Sequence, residues 1–210
     1  MMQPFAQLAR SYVCREGAPT LTRIDPAIFQ CTYFADCMAC GFCHDWCCAH
    51  GVDVDLPKAN AILARKGEIA RFTGVAPELW FDGEVRADPE VPGGQFMRTR
   101  RHNGRCVFAN PAGRGCQLHR FALANGIDYH QLKPFMSSLF PLTFNDGLLT
   151  VSDEIAERYL VCRDQGASCY QGVRGELAYF FGDGLVQELD TLAQRRSAEL
   201  VGHIVWASRA

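Results

Sequence analysis

The pattern of apolar and polar residues predicts its clearest helix near residue 57. Apolar side chains recur there at helical spacing, Asp55 suits an N-cap, and Pro57 suits the first turn. We therefore expect one helix over residues 57–71. The positions that carry the pattern are Ala59, Ile62, Leu63, Lys66 and Ile69.

Further helices are predicted in the second half of the chain. One covers residues 117–125 and ends at Gly126, because glycine readily adopts the conformation that closes a helix. The C-terminal third is mostly helical in its pattern, with a break at the sequence Gly-Asp-Gly. The three segments expected there are residues 154–162, 173–181 and 184–199.

Two short β-hairpins are predicted between these helices. The first joins residues 96–101 to residues 105–108 through Asn103-Gly104, a dipeptide that favours a two-residue hairpin turn. The second joins residues 139–144 to residues 148–151 through an Asn-Asp-Gly sequence. Short hairpins interleaved with helices indicate an α+β fold.

The length of the chain favours a single compact domain, residues 1–210. A chain of this size buries roughly 70% of the surface that it exposes when unfolded, so its stability need not depend on disulfides. Residues 1–30 carry only weak patterning, and Pro4, Pro19 and Pro26 interrupt any long element there.

Charge and hydropathy exclude several classes of partner. A net charge of −2 and a pI near 6.3 argue against a general nucleic-acid-binding role. No apolar run approaches the ~20 residues that cross a bilayer, so no membrane association is expected. The first ten residues lack a basic region followed by an apolar stretch, which leaves a reducing cytoplasm as the expected compartment. In that compartment clustered cysteines indicate metal or redox chemistry more often than disulfides.

Six of the eleven cysteines lie between residues 31 and 48. Four of them, Cys37, Cys40, Cys43 and Cys47, have the spacing C-x2-C-x2-C-x3-C. This spacing is typical of bacterial iron–sulfur loops, and its C-x2-C pairs also suit zinc. The loop holds too little apolar sequence to fold without a ligand, which indicates a metal centre.

Four distant cysteines form two further pairs, each across a glycine-containing loop. Cys106 and Cys116 flank one loop, and Cys162 and Cys169 flank the other. Both intervals can bring two sulfurs to one centre, and we expect the four to converge on the cysteine loop. The alternative is that they are buried structural thiols, since free cysteine behaves as a small hydrophobe. Cys14 has no local partner and is expected to be structural.

In its cysteine segments the chain resembles the YkgJ-type cysteine-cluster proteins, which are described as zinc- or iron-chelating and sometimes as Fe–S-containing. The likeness covers residues 31–170 and leaves residues 171–210 as a mostly helical extension. It implies that the separated cysteines share one cluster region. The matching segments are Cys37-Met-Ala-Cys40-Gly41-Phe42-Cys43-His44, Cys106 with Cys116-Gln-Leu-His119, Lys133-Pro134 through Pro141, and Cys162 with Cys169.

Two positions depart from the family pattern. His44 stands where the core motif has its last cysteine, so His44, Cys47 or Cys48 would have to supply that ligand. Ser137 stands where a cysteine follows Lys-Pro, and a hydroxyl is a poor ligand. His119 follows Cys116 by three residues, so on a helix both would face the same side.

The donor set leaves two metals open. Zinc favours four ligands and mixes cysteine with histidine, whereas an iron–sulfur cluster prefers thiolates. Thiolates outnumber the histidines that could bind, so we expect an iron–sulfur cluster, with zinc as the alternative. The expected ligands are Cys37, Cys40, Cys43, Cys47, Cys106, Cys116, Cys162 and Cys169.

These observations predict a metal-binding protein with a redox, metal-handling or sensing role. A zinc-stapled interaction module is one alternative. An enzyme in which the cluster is structural is another, because the family resemblance includes larger lysine methylases. The sequence holds no phosphate-binding loop and no catalytic constellation that would identify a reaction. The expected partners are the metal ion or cluster and a protein that the sequence does not identify.

Overall fold

The computed structural model describes residues 5–43, 45–156 and 160–207. Helices and several small sheets alternate along the chain, which confirms the α+β prediction. The strands are β1 (Ala6–Val13), β2 (Thr20–Ile24), β3 (Thr32–Tyr33), β4 (Asp53–Asp55), β5 (Arg86–Ala87), β6 (Gln95–Arg98), β7 (Arg101–His102), β8 (Arg105–Cys106), β9 (Leu142–Asn145), β10 (Leu148–Val151) and β11 (Arg163–Ser168). The α-helices are α1 (Ala27–Gln30), α2 (Leu56–Ala64), α3 (Lys66–Thr73), α4 (Gln117–Ala124), α5 (Phe135–Leu139), α6 (Asp153–Ala156), α7 (Cys169–Phe181) and α8 (Asp183–Ala207).

The strands form four small sheets. The largest has four strands in the order β1-β2-β10-β9, and its central pair, β2 and β10, is parallel. A second sheet has the order β4-β6-β5, and the pairs β3–β11 and β7–β8 make two-stranded ladders. The β3–β11 ladder and the β7–β8 hairpin are the ones that place cysteines.

Both predicted hairpins are present and turn at the predicted residues. Asn103-Gly104 and Asp146-Gly147 each have two consecutive positive φ angles, the conformation of a two-residue turn that matches strand twist. The first hairpin is shorter than expected, because β6 leaves it and pairs with β4 and β5 instead. In the second, residues 139–141 precede the strand, and Leu139 ends α5.

The helix predicted over residues 57–71 is two helices. Asp55 caps the first, its carboxylate accepting a hydrogen bond from the Lys58 N–H at 2.9 Å, with Pro57 in the first turn. The chain leaves helical geometry at Arg65, and α3 begins directly afterwards. The helix at residues 117–125 is present as α4, and Gly126 follows it with a φ of 66°.

Residues 1–30 hold more structure than their weak pattern suggests. They contribute β1, β2 and α1, which form half of the four-stranded sheet and one wall of the core. The helices predicted at 173–181 and 184–199 are present as α7 and α8, and α7 begins earlier than predicted, with a Ser168–Gln171 capping box. Of the helix predicted at 154–162, α6 covers residues 153–156 and residues 157–159 lie outside the described residues. The prediction was wrong for residues 160–162, which are not helical because the chain turns there into β11.

Two hydrophobic cores stabilise the chain. The first lies between the four-stranded sheet and helices α1, α7 and α8, with fully buried Leu21, Leu149, Leu177, Phe180 and Leu189. The second lies around α2, α3 and α4. It buries Val54, Ile62, Ile69, Trp80, Phe108 and Leu118. Among the described residues, no helix is long and apolar enough to cross a membrane.

Gly147 gives a test of how the second hairpin docks on β2. Its φ is 71°, and a Cβ built there would lie 2.8 Å from Thr22 Oγ1. We expect Gly147→Ala to lower the free energy of unfolding by about 1–3 kcal/mol, since the backbone is strained and the contact is too close. Urea denaturation measures the change. Gly175→Ala is the control, because it lies in α7 with nothing within 4 Å and should be neutral or stabilising. Equal effects of the two substitutions would contradict this account.

Candidate metal centre

Three cysteine sulfurs meet at one buried point. The Sγ atoms of Cys40, Cys43 and Cys162 all lie within 4.8 Å of one another, and those of Cys40 and Cys162 are 4.0 Å apart. Each residue is at most 4% exposed. Two thiolates on one tetrahedral ion lie roughly 3.8 Å apart for metal–sulfur bonds of about 2.3 Å. The group formed by Cys40, Cys43 and Cys162, called the triad below, therefore has the spacing of a site for a single ion.

The cysteine loop and the β3–β11 ladder together position the triad. Cys40 and Cys43 lie three residues apart in the loop, and Cys162 directly precedes β11. The carbonyl of Cys162 accepts a hydrogen bond from the Phe34 N–H at 3.0 Å, which holds the start of β11 beside the end of β3. The third sulfur thus reaches the loop through strand pairing between segments that lie far apart in the sequence.

Cys40 is the most acidic of the three thiols in the triad. Burial raises the pKa of Cys40, but hydrogen bonds from the backbone N–H groups of Phe42 and Cys43 and contact with the neighbouring thiols lower it overall. Burial raises the pKa of both Cys43 and Cys162. A soft cation would replace the remaining protons, because thiolates are the form that binds metal.

Asp45 links the triad to two arginines. Its carboxylate accepts hydrogen bonds from Arg105 and, at 3.5 Å, from Arg114, and Cys43 Sγ lies 3.9 Å from its Oδ1. The Asp45 side chain is 3% exposed, and its backbone has a left-handed φ of 53°. These contacts hold the loop against β8 and place two positive charges close to sulfurs that become negative when they bind metal.

A cavity of about 430 Å³ lies beside the triad, where the two hydrophobic cores meet. Its wall contains five more cysteines. They are Cys37, Cys47, Cys48, Cys106 and Cys116. Among the described residues, only the triad has three sulfurs within 4.8 Å, so the cavity cysteines are spaced more widely than a single ion requires.

The cavity cysteines have different neighbours. Hydrogen bonding to Cys47 and burial raise the pKa of Cys37, while Cys106 Sγ lies 3.4 Å from Thr99 Oγ1. Cys116 is the N-cap of α4, and burial raises its pKa to about 11 although the Leu118 and His119 N–H groups lower it. The Lys133 ammonium lowers the pKa of both Cys37 and Cys116, so a positive charge faces this group of sulfurs.

The lining of the cavity also contains the polar residues Glu176 and His119. Glu176 accepts a hydrogen bond from the Tyr129 hydroxyl at 2.7 Å, and His130 Nε2 lies 2.9 Å from its other oxygen. His130 Nδ1 lies 2.6 Å from Asp128, so a buried imidazole has a carboxylate at each nitrogen. Burial lowers the pKa of His119, which favours its neutral, metal-binding form.

The remaining cysteines lie outside both groups. The Cys169 N–H donates to the Cys31 carbonyl at 2.8 Å, and burial, followed by the neighbouring Cys31, raises the pKa of Cys169 to about 12. Cys14 is buried in the first core, where burial raises its pKa to about 11. This surrounding is that of a structural thiol, as expected for Cys14 from the sequence.

The structure therefore divides the eight predicted ligands. Cys40, Cys43 and Cys162 meet in the triad, and Cys37, Cys47, Cys106 and Cys116 line the adjacent cavity. Cys169 lies against Cys31 instead. Cys48, Ser137 and His119 also line the cavity, whereas His44 lies outside the described residues.

Sequence reasoning did not single out Asp45, Lys133 or Glu176 as parts of the site. Asp45 lies two residues after Cys43, and Lys133 lies in the Lys-Pro segment. The only sequence signals were that Asp45 lies inside the cysteine loop and that Lys133 lies in a segment shared with the YkgJ-type pattern. No protein-family model matches the chain, and no solved structure is significantly similar to it. The site must accordingly be interpreted from its own geometry.

Proposed function

We propose that this chain is a metal-binding cysteine-cluster protein with two adjacent thiolate sites. The triad binds one tetrahedral ion, zinc or iron, and the cavity thiols bind an iron–sulfur cluster. The observation that carries the proposal is the triad itself, three buried sulfurs with no more than 4.8 Å between any two. The resemblance to YkgJ-type proteins supports the same proposal.

The donors of the triad suit a soft or borderline cation. Thiolates select zinc and iron over hard cations such as magnesium and calcium. Arg105 and Arg114 both pair with Asp45 beside Cys43, so this group carries one net positive charge that would partly offset the negative charge of the thiolates. The site offers three protein ligands within the described residues, which leaves one coordination position for a further donor.

The cavity suits a larger group than a single ion. Each thiolate that binds a [4Fe–4S] cluster is attached to a different iron, so the cysteine sulfurs lie further apart than those around one tetrahedral ion. The cavity has thiols on several sides, a volume of about 430 Å³, and Lys133 to offset the negative charge of a cluster. When bound, such a cluster would supply one-electron chemistry, which supports a redox role for the chain.

A second candidate function is a zinc-stapled module without redox chemistry. The separation of 4.0 Å between Cys40 Sγ and Cys162 Sγ favours it, since that is close to the sulfur spacing around zinc. In that case the cavity thiols would remain free. The two candidates differ in whether the protein carries iron and inorganic sulfide.

Anaerobic purification followed by metal and acid-labile sulfide analysis tests the proposal. We expect one ion at the triad together with iron and sulfide in the cavity, and visible absorbance that bleaches in air. The double variant Cys106→Ser/Cys116→Ser should lose the sulfide and keep the triad ion. Colourless protein with zinc alone would establish the zinc module, and folded wild-type protein without any metal would refute both candidates.

A further inference from the structure

Tyr33 carries a buried hydroxyl that lacks a partner. The residue is 1% exposed, and its Oη has no hydrogen-bond partner within the described part of the chain. Its ring packs edge-on against Phe140, with centroids 5.4 Å apart, which holds the phenol in place. A buried polar atom without a partner is rare in folded proteins and requires an explanation, such as a bound ion or group.

The unpartnered hydroxyl faces sulfur. Burial raises the pKa of Tyr33, and the neighbouring Cys47, Cys162 and Cys37 raise it further. Tyr33 pairs with Arg163 across the β3–β11 ladder, and the next residue, Phe34, donates its N–H to the Cys162 carbonyl, so Tyr33 lies beside Cys162. The phenol is therefore next to a residue of the triad without a hydrogen bond to its sulfur.

A bound ion changes what the neighbouring sulfur can accept. A thiol is only a weak acceptor, whereas a metal-bound thiolate carries negative charge and accepts strong hydrogen bonds. Without an ion the Tyr33 hydroxyl has no hydrogen-bond partner among the described residues. With an ion in the triad, the thiolate of Cys162 supplies the acceptor that Tyr33 lacks.

We propose that Tyr33 is a positioning residue that donates a hydrogen bond to the metal-bound thiolate of Cys162. The inference rests on the proposed function, because it requires an ion in the triad. In this proposal β3 both pairs with β11 and supplies the hydrogen-bond donor for Cys162. Hydrogen bonds to ligand atoms orient them and adjust the charge that they share with the metal.

The proposal makes Tyr33→Phe act in opposite directions on the two states of the protein. In the metal-free state it removes a buried hydroxyl that has no partner, so stability should rise or stay unchanged. In the metal-bound state it removes a donor to the ligand sulfur, so affinity should fall about 10-fold, at the lower end of the range for partners of metal ligands. A tyrosine with a purely structural role would change both states in the same direction.

Cobalt(II) is the probe, because its thiolate complexes show charge-transfer absorption that reports electron density at sulfur. Chelator competition gives the affinity, and urea denaturation gives the stability of the metal-free protein. Tyr170→Phe is the matched control. Tyr170 is equally buried, but its hydroxyl donates to Asp190 at 2.6 Å instead of facing sulfur. We expect Tyr33→Phe alone to shift the charge-transfer band and weaken cobalt binding.

The possible results distinguish failure of this inference from failure of the proposed function. Unchanged affinity and an unchanged band in Tyr33→Phe would overturn the inference while leaving the proposed function intact. Wild-type protein that gives no thiolate–cobalt absorption would overturn both. Failure of Tyr33→Phe to fold in the metal-free state would also overturn the inference, because a hydroxyl without a partner cannot be required for that fold.

Discussion

Cys40→Ser is expected to weaken metal binding at the triad severely and to destabilise the protein more than substitution of any cysteine outside the triad. A hydroxyl binds zinc or iron far more weakly than a thiolate. Affinity should fall by more than about 100-fold, since changes at residues that only support ligands already cost about 10- to 100-fold. Because binding energy at a site absent from the unfolded chain is folding energy, thermal stability should fall with it. Metal analysis and thermal denaturation measure the two effects.

Cys14→Ala is the matched control for this prediction. Cys14 is as buried as Cys40, at 2% exposure each, but it does not belong to the triad, and the groups that influence its pKa include Glu16 and Lys58 and no other cysteine. It should keep the full complement of metal and lose only the modest stability of a small buried side chain. Equal metal loss from the two variants would mean that the triad is not the binding site.

His130→Ala is expected to destabilise the protein by about 2–4 kcal/mol, because it removes two hydrogen bonds to charged groups from a buried position. The imidazole joins Asp128 to Glu176 and stacks on Tyr179, with ring centroids 3.5 Å apart. Its loss would leave the Glu176 carboxylate with Tyr129 as its donor. The free energy of unfolding from urea titration measures the effect.

Two further variants separate this network from general effects. His102→Ala changes an exposed residue beside a hairpin turn and should shift stability by no more than about 0.5 kcal/mol. Tyr179→Phe removes only the hydrogen bond from its hydroxyl to Asp128, at 3.0 Å, and should cost about 1 kcal/mol or less. If His130→Ala proved as mild as His102→Ala, the buried network would not hold α7 in place.

The parts of the fold that were predictable are those decided by neighbours in sequence. Asn103-Gly104 and Asp146-Gly147 form the expected turns because their conformation is local. The strands β1 and β2 were missed because their stability comes from distant partners. β2 pairs with β10, and a sequence window around Leu21 contains no sign of Leu149. The break at Arg65 was also missed, because the one glycine beside it, Gly67, could equally lie inside a continuous helix.

The candidate site shows the same division between local and distant information. Cysteine spacing identified the loop that supplies Cys40 and Cys43, since that spacing reflects the reach of a short chain segment. It did not reveal that Cys37 and Cys47 turn away toward a cavity, which depends on where β8 and α4 place Cys106 and Cys116. Tyr33 gave no signal at all, because a tyrosine in a two-residue strand resembles any core residue.

The distance along the chain between the triad cysteines sets an order of events during synthesis. Cys162 follows Cys40 by 122 residues. At about 5–20 residues per second, the ribosome releases the third sulfur roughly 6–24 s after the first. During that interval Cys40 and Cys43 form an open half-site on an incomplete chain. Metal delivered early would meet two sulfurs instead of three, so correct loading must wait until Cys162 has been synthesised.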